Sequence, residues 1–248
     1  MQTVLITGCS SGFGLDIARH FHEKGWNVVA TMRTPRADLF PASDRMRVLA
    51  LDVTDAASIR RAIDEAGPVD VLVNNAGIGV LSALEGMTMD TVRDVFETNT
   101  LGTIAMTQAV LPHLRERKNG VVINVTSSVT YRPLPLLSVY SASKAAVNAF
   151  TESLALELAP FNVRAHLVLP GRAPDTRFGE NARARMQPPS PAYADFMQQV
   201  FSGMTADGPV THSSDVAEAV WRAATDASAP MRIPAGADAV EWSQAARS

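Results

Sequence analysis

Short runs of consecutive apolar residues recur through this chain, and longer stretches of helical periodicity separate them. Val4-Leu5-Ile6, Val28-Val29-Ala30, Val48-Leu49-Ala50-Leu51, Val69 to Val73 (broken only by Asp70), Val121-Val122-Ile123 and Val163 to Leu169 are strand-like. Leu15 to Lys24, a segment with Ile59 and Ile63 four apart, about 88–117, and Ala142 to Leu158 carry helical spacing. A strand that does not alternate apolar with polar residues is buried on both faces. That happens in a parallel sheet covered by helices on either side. The pattern therefore predicts a doubly wound α/β sheet, whose ligands sit at the carboxyl ends of the strands. Asp215 to Ala224 and Met231-Arg232-Ile233 extend it by one helix and a last short strand.

At 248 residues the chain is long enough to bury a sizeable core, and residues 1–248 are expected to form a single domain. Its 46% apolar and 19% charged residues exclude a disordered chain. A net charge of −3 with no basic block gives no electrostatic support for nucleic acid or an anionic membrane. Neither is an expected partner. The lone Cys9 cannot form an internal disulfide, so a reducing, cytoplasmic compartment is expected. Met1-Gln2-Thr3 leads into a strand without the basic start or cleavage site of a leader. No apolar run reaches the ~18 residues that span a bilayer. One segment breaks the rhythm. Residues 171–210 hold Gly171, Pro174, Pro188, Pro189, Pro191 and Pro209, and are expected to form a loop over the active site.

Between the first strand and the first helix stands Thr7-Gly8-Cys9-Ser10-Ser11-Gly12-Phe13-Gly14. Glycines permit a tight turn and let backbone amides approach a pyrophosphate with no Cβ in the way. The following helix offers its N-terminal amides and positive dipole end to the same anion. The spacing G-x-x-x-G-x-G differs from the G-x-G-x-x-G fingerprint, and such a turn can also serve only close packing of helix on strand.

Tyr140 and Lys144 stand four apart, on one face of a helix. A free phenol, with a pKa of about 10, is a poor acid–base catalyst at neutrality, and a nearby cation lowers that value. Only Lys24, Lys118 and Lys144 among the 22 basic residues are lysines, so a compact ammonium at this position stands out. An exposed helix face produces the same spacing. Ser127 lies just past the fifth strand, where its hydroxyl can meet a substrate oxygen. Thr126 and Ser128 compete for that task, and a turn or cap serine is the alternative.

In combination the chain resembles the short-chain dehydrogenase/reductase family over nearly its whole length. The carrying residues are the turn from Thr7 to Gly14, Asn74-Asn75-Ala76-Gly77, Asn99, Ser127, and Tyr140 with Lys144. The tail from Arg232 to Asp238 is similar to a C-terminal strand and turn of some members. The resemblance implies a Rossmann-type fold and hydride transfer between a nicotinamide dinucleotide and a carbonyl or alcohol. It makes Tyr140 the general acid or base, and has Lys144 bind the nicotinamide ribose and lower the phenol pKa. Ser127 would hold the substrate carbonyl, and Asn99 would position a water in a relay with Lys144. Gly8, Ser10, Ser11, Gly12, Phe13 and Gly14 would bind the cofactor at the glycine turn, and Asp52-Val53 its adenine side. Asn75-Ala76-Gly77 would line the groove and Pro170-Gly171 would lie near the nicotinamide. Asn74 serves equally as a brace between strands. One departure concerns the turn proline: five residues after it stands Asp175, with Thr176 one later, which leaves the carboxamide contact open.

The second strand ends at Met32, without the carboxylate that accepts the ribose hydroxyls of NAD, and Arg33 follows with Arg36 nearby. A guanidinium grips a 2′-phosphate through bidentate, charge-assisted bonds, so NADP(H) is expected over NAD(H). The substrate pocket is expected from residues 78–84, 129–136 and 171–210, including Leu134, Leu136, Leu137, Phe178 and Met186. Their apolar character favours a hydrophobic ketone or secondary alcohol. The family implies a homodimer or homotetramer through helices 99–117 and 140–159. No metal site is expected, since the histidines form no ligand cluster; His20 and His22, two apart on a helix, are read as solvent-facing. The competing reading is a dinucleotide-sensing protein that keeps the fold without turnover.

Overall fold

The computed structural model describes residues 1–187, 190–204 and 208–246, so Pro188 and Pro189 lie outside the described residues. The first half runs β1 (Thr3–Thr7), α1 (Gly12–Glu23), β2 (Asn27–Met32), β3 (Met46–Ala50), α2 (Ala56–Ala66), β4 (Val71–Asn74), α3 (Met89–Phe96) and α4 (Gly102–Arg117). The second half runs β5 (Gly120–Val125), α5 (Ser138–Leu158), β6 (Val163–Pro170), α6 (Phe178–Ala184), α7 (Ala194–Met204), α8 (Ser213–Thr225), β7 (Arg232–Ala235) and α9 (Ala237–Ala245). All strand pairs are parallel, in the order β3-β2-β1-β4-β5-β6-β7. The order reverses between β1 and β4, and a crevice opens at their carboxyl ends. This is the doubly wound, Rossmann-type fold that the apolar runs predict.

Side chains of a strand point alternately to the two faces of its sheet. Val4 and Ile6 accordingly join one apolar layer with Phe21, Ile123 and Val220, under α1 and α8. Leu5 joins the other with Leu72, Met106, Val122 and Leu154, under α2, α4 and α5. Both faces are covered, which is why the strands read as continuous apolar runs. Full burial of each such side chain stabilises by roughly 1.5–3 kcal/mol. Among the described residues no helix is long and apolar enough to cross a membrane.

Three expectations change. Residues 171–210 are not a plain loop: α6, a 3-10 turn at Pro191–Tyr193 and α7 lie within them. Pro191 starts its turn, where a missing N–H leaves no bond unmade, and Met197 of α7 is buried against Leu81, Ala83 and Leu136. His20 and His22 are half-buried rather than solvent-facing. Helix α8 lies along α1 and covers that side. His20 meets the edge of Trp221 with ring centroids 5.8 Å apart and lies 3.5 Å from the Glu218 carboxylate. Helices α3 and α4 are joined by a π-helical turn, Glu97–Leu101, which carries Asn99; such turns recur at functional sites.

Candidate active site

Thr7, the last residue of β1, fastens the floor of the crevice. Its hydroxyl accepts the N–H groups of Asn75 (3.0 Å) and Ala76 (2.9 Å). The Asn75 amide in turn donates to the carbonyls of Thr7 (3.0 Å) and Gly8 (3.2 Å). Gly8 holds φ +76°, and a Cβ there would come 2.8 Å from the Ala76 Cα, so conformation and space both demand glycine. A Cβ at Gly14 would overlap the Gly8 carbonyl and the Asn75 amide. Ser11 begins α1 without a side-chain cap bond, which leaves the first-turn amides directed at the crevice. Bare α-carbons, free amides and a helix N-terminus suit a pyrophosphate. Ser10 is exposed beside them, while Phe13 packs into the core beneath. Asn74 is a brace, its amide donating to Thr107 (3.0 Å) and Asn124 (2.9 Å).

Beyond β3, Asp52 accepts the N–H (3.0 Å) and hydroxyl (2.8 Å) of Thr54. Those bonds hold its carboxyl below the ordinary range against some burial, with a smaller contribution from the Arg33 charge. Val53 packs against Gly102, where a Cβ would collide with it. Arg33 is exposed. Arg36, expected to assist it, is instead paired with Asp38 at 2.6 Å.

Ser127, Tyr140, Lys144 and Asn99 converge from three elements. Tyr140 and Lys144 share one face of α5, and both are buried. The Ser127 hydroxyl acts to lower the pKa of the Tyr140 phenol and caps a 3-10 turn by accepting the Val129 N–H at 3.3 Å. The hydroxyls of its rivals, Thr126 and Ser128, are buried with no hydrogen-bond partner among the described residues. The Lys144 ammonium donates to the Val125 carbonyl at 3.0 Å and lies 6.0 Å from the centre of the Tyr140 ring. Asn99 accepts the Ile78 N–H (2.8 Å) and donates to the Ile78 carbonyl (2.9 Å) and the Ser143 hydroxyl (3.0 Å). Its carboxamide is thus committed to anchoring the π turn. A Cβ on Gly77 would stand 3.2 Å from Asn99 Oδ1 and 3.3 Å from Lys144 Nζ, so the two groups meet over bare backbone.

Burial governs the charges here. It pushes the Tyr140 phenol up to about 12, with the Ser127 hydroxyl pulling the other way. It brings the Lys144 ammonium down to about 8. The rise of the phenol comes from its burial, and the Lys144 ammonium beside it is bonded to the Val125 carbonyl.

Gly171 follows β6. Its N–H donates to the Thr211 hydroxyl at 2.8 Å, and a Cβ there would overlap the Asp238 carboxylate. Thr176 packs on Gly12, 3.5 Å from where a Cβ would stand, which brings the arm after Gly171 across the glycine turn. The Phe178 ring lies 5.5 Å from that of Tyr140. Of the expected pocket residues, Leu136 is buried, whereas Met186 and Phe178 are partly exposed.

Residues 2–187 match the family model of short chain dehydrogenases. The chain belongs to the short-chain dehydrogenase/reductase family. This short-chain dehydrogenase is 41% identical over 174 residues to the 3-ketodihydrosphingosine reductase of Bacteroides thetaiotaomicron, a match covering 68% of this chain and 63% of the relative. The chain thus spans less than two thirds of that relative's length. A short-chain dehydrogenase from Streptomyces avermitilis is 34% identical with a TM-score of 0.84, covering 98% of this chain and 91% of that one. A short chain dehydrogenase from Burkholderia cenocepacia in complex with NADP is 27% identical with a TM-score of 0.80, covering 100% and 95%.

Thr211 escapes the sequence reading of this dehydrogenase, which holds Thr7 and Asp238 only as motif residues. Thr7 carries the floor bonds, and its place at the strand end beside Gly8 is the available signal. Thr211 and Asp238 tie the start of the 171–210 segment to α9, a contact between segments distant in the chain.

Proposed function

We propose that this short-chain dehydrogenase transfers a hydride between NADP(H) and a hydrophobic ketone or secondary alcohol, with Tyr140 as the general acid in reduction and general base in oxidation. The observation that carries this reading is the convergence of Ser127 and Tyr140 beside the buried Lys144, at the carboxyl ends of the strands. Bound, the nicotinamide supplies or accepts the hydride. Two hydroxyls meeting at one point hold a carbonyl oxygen: Ser127 orients it and Tyr140 gives it a proton. A phenol pushed up to about 12 keeps that proton through neutral pH, which suits the reducing direction. In the oxidising direction the phenol must first lose it, so oxidation is expected to rise with alkaline pH.

Gly8, Ser10, Ser11, Gly12 and Gly14 would hold the pyrophosphate, with Phe13 packed behind them, and Asp52-Val53 the adenine side. Asn75-Ala76-Gly77 would line the groove, Lys144 would bind the nicotinamide ribose, and Pro170-Gly171 would face the nicotinamide. Asn99 secures the π turn next to Lys144. NADP(H) is supported by the exposed Arg33 directly after a strand end that carries no carboxylate, and by the NADP complex of the Burkholderia relative. A hydrophobic substrate is supported by the apolar cluster of Leu81, Leu136 and Met197 and by the Bacteroides relative, a 3-ketodihydrosphingosine reductase.

The test follows NADPH absorbance at 340 nm with a panel of ketones. Tyr140→Phe is expected to retain NADPH binding and to lose turnover by roughly 10²–10⁴. Wild-type rates in that variant would reject the mechanism. Tight NADPH binding with no turnover of any ketone would favour a dinucleotide sensor.

A further inference from the structure

Residues Phe178 and Ala182 stand four apart on one face of α6, and both rest on Gly79. A Cβ on Gly79 would come 2.7 Å from Phe178 Cζ and 3.0 Å from Ala182 Cβ. Gly79 has no positive φ, so it is space for the Phe178 ring, not backbone conformation, that favours glycine there. The seat fixes where the phenyl ring goes. Its centroid lies 5.5 Å from that of Tyr140 at a 56° tilt, within the range of favourable aromatic pairs. The arm that carries it is pinned on both sides, by Thr176 on Gly12 and by the Gln187 amide donating to the Thr91 hydroxyl at 3.4 Å. Tyr140 is 6% exposed, whereas Phe178 is 39% exposed. One part of the Phe178 ring therefore covers the catalytic phenol while the rest stays open beside it.

We propose that Phe178, seated on Gly79, is a specificity-determining residue that seals Tyr140 from water and forms the wall on which an apolar substituent of the substrate carbonyl packs. The wall rests on the proposed role of Tyr140; the seal does not. A carbonyl oxygen reaching Ser127 and Tyr140 places one of its two carbon substituents against the phenyl ring. A hydroxyl or carboxylate on that substituent would give up its water for a surface that offers no hydrogen bond. Ketones with an apolar arm are selected, and hydroxylated ketones of the same skeleton are rejected.

The seal has a readout that needs no turnover. The chain holds three tyrosines, Tyr131, Tyr140 and Tyr193, so in a Tyr131→Phe, Tyr193→Phe background the ultraviolet titration of phenolate reports Tyr140 alone. Opening the seal admits water, and Tyr140 should then titrate lower by roughly one unit in Phe178→Ala. Gly79→Ala, which displaces the ring, should move it the same way, and Phe178→Leu should keep most of the wild-type value. In kinetics, Phe178→Ala should lose roughly tenfold in kcat/KM for an apolar ketone, mainly through KM, and bring its preference over the hydroxylated analogue towards unity. An unchanged titration in folded Phe178→Ala overturns the seal, and an unchanged preference in the active variant overturns the wall. A shifted titration in a protein whose wild type reduces no carbonyl rejects the proposed reaction and upholds the seal.

Discussion

Tyr140 and Lys144 are both buried, and burial acts on them in opposite senses, so each leaves its own mark on stability against pH. The phenol is raised from 10.0 to about 12. Its contribution is full below pH 10 and is lost as pH rises towards 12, because the unfolded chain ionises first. The ammonium is lowered from 10.5 to about 8. Its contribution is present above pH 10.5 and is lost as pH falls through 8, where the folded state must hold a buried charge. At about 1.4 kcal/mol per unit, each effect is on the order of 3 kcal/mol, the ammonium's the larger. Urea unfolding across pH should therefore show Lys144→Met more stable than wild type at pH 7 though inactive, and Tyr140→Phe flatter between pH 10 and 12. A less stable Lys144→Met at pH 7 would mean that the bond to the Val125 carbonyl outweighs the cost of burial. Arg33 tests a different charge. Under the proposed cofactor preference, Arg33→Ala should lose roughly ten- to hundred-fold in kcat/KM with NADPH and little with NADH. No loss with either cofactor would assign Arg33 to the solvent, and equal losses with both would mean that it does not read the 2′-phosphate.

The arm formed by α6 and α7 has a narrow root. Thr211 accepts the Gly171 N–H and donates its own N–H to the Arg172 carbonyl at 2.8 Å, so the two ends of the segment are joined. The buried Asp238, at the start of α9, accepts the Arg172 N–H at 2.6 Å and the Thr211 hydroxyl at 2.7 Å. Asp238→Ala should remove the acceptor of the Arg172 N–H while the Thr211 hydroxyl keeps the Ala235 carbonyl at 2.8 Å, a cost of about 0.5–1.5 kcal/mol. Proteolysis within residues 171–211 should quicken before the rest of the sheet unfolds, and KM for the carbonyl should rise more than kcat falls. Cleavage that tracks global unfolding alone would show that the root is not held by this carboxylate. The contrast with the sheet explains what the sequence revealed. A strand buried on both faces must be apolar throughout, so Val4-Leu5-Ile6 and Val121-Val122-Ile123 announce themselves. Tyr140 and Lys144 are four apart because one helix face presents both. The arm's helices are short and lie among prolines, and α7 is fixed by Met197 meeting Leu81 and Leu136 from distant segments. Leu136 adopts φ +63°, a conformation that a bulky side chain accepts only under tertiary constraint, and nothing local to it signals that. The π turn at Asn99 is held by Ile78 and Ser143, again from elsewhere in the chain.

At the scale of the whole molecule, α5 has one side on the core and another that none of the described residues covers. Ala142, Ala145, Ala149, Ser153 and Leu156 are all exposed and recur every three or four residues, so they form one stripe along the helix. Leu156 is 79% exposed, and Leu101, at the start of α4, is 48% exposed. A solvated helix face ordinarily carries charged and polar residues, whereas this one carries small and apolar ones. Small side chains let two helix backbones approach closely, and a two-fold axis across the stripe would bring a second copy of α5 against it. We therefore expect the protein to assemble as a homodimer or homotetramer through α4 and α5. Because α5 also carries Tyr140 and Lys144 on its buried side, assembly would stiffen the helix that positions them. Sedimentation of the wild type at micromolar concentration should give a multiple of the chain mass, and Ala149→Arg, which adds bulk and charge to the stripe, should give the monomer with its circular dichroism unchanged. A wild type that sediments as a monomer, or an Ala149→Arg variant that stays assembled, would show that this face of α5 is not the interface.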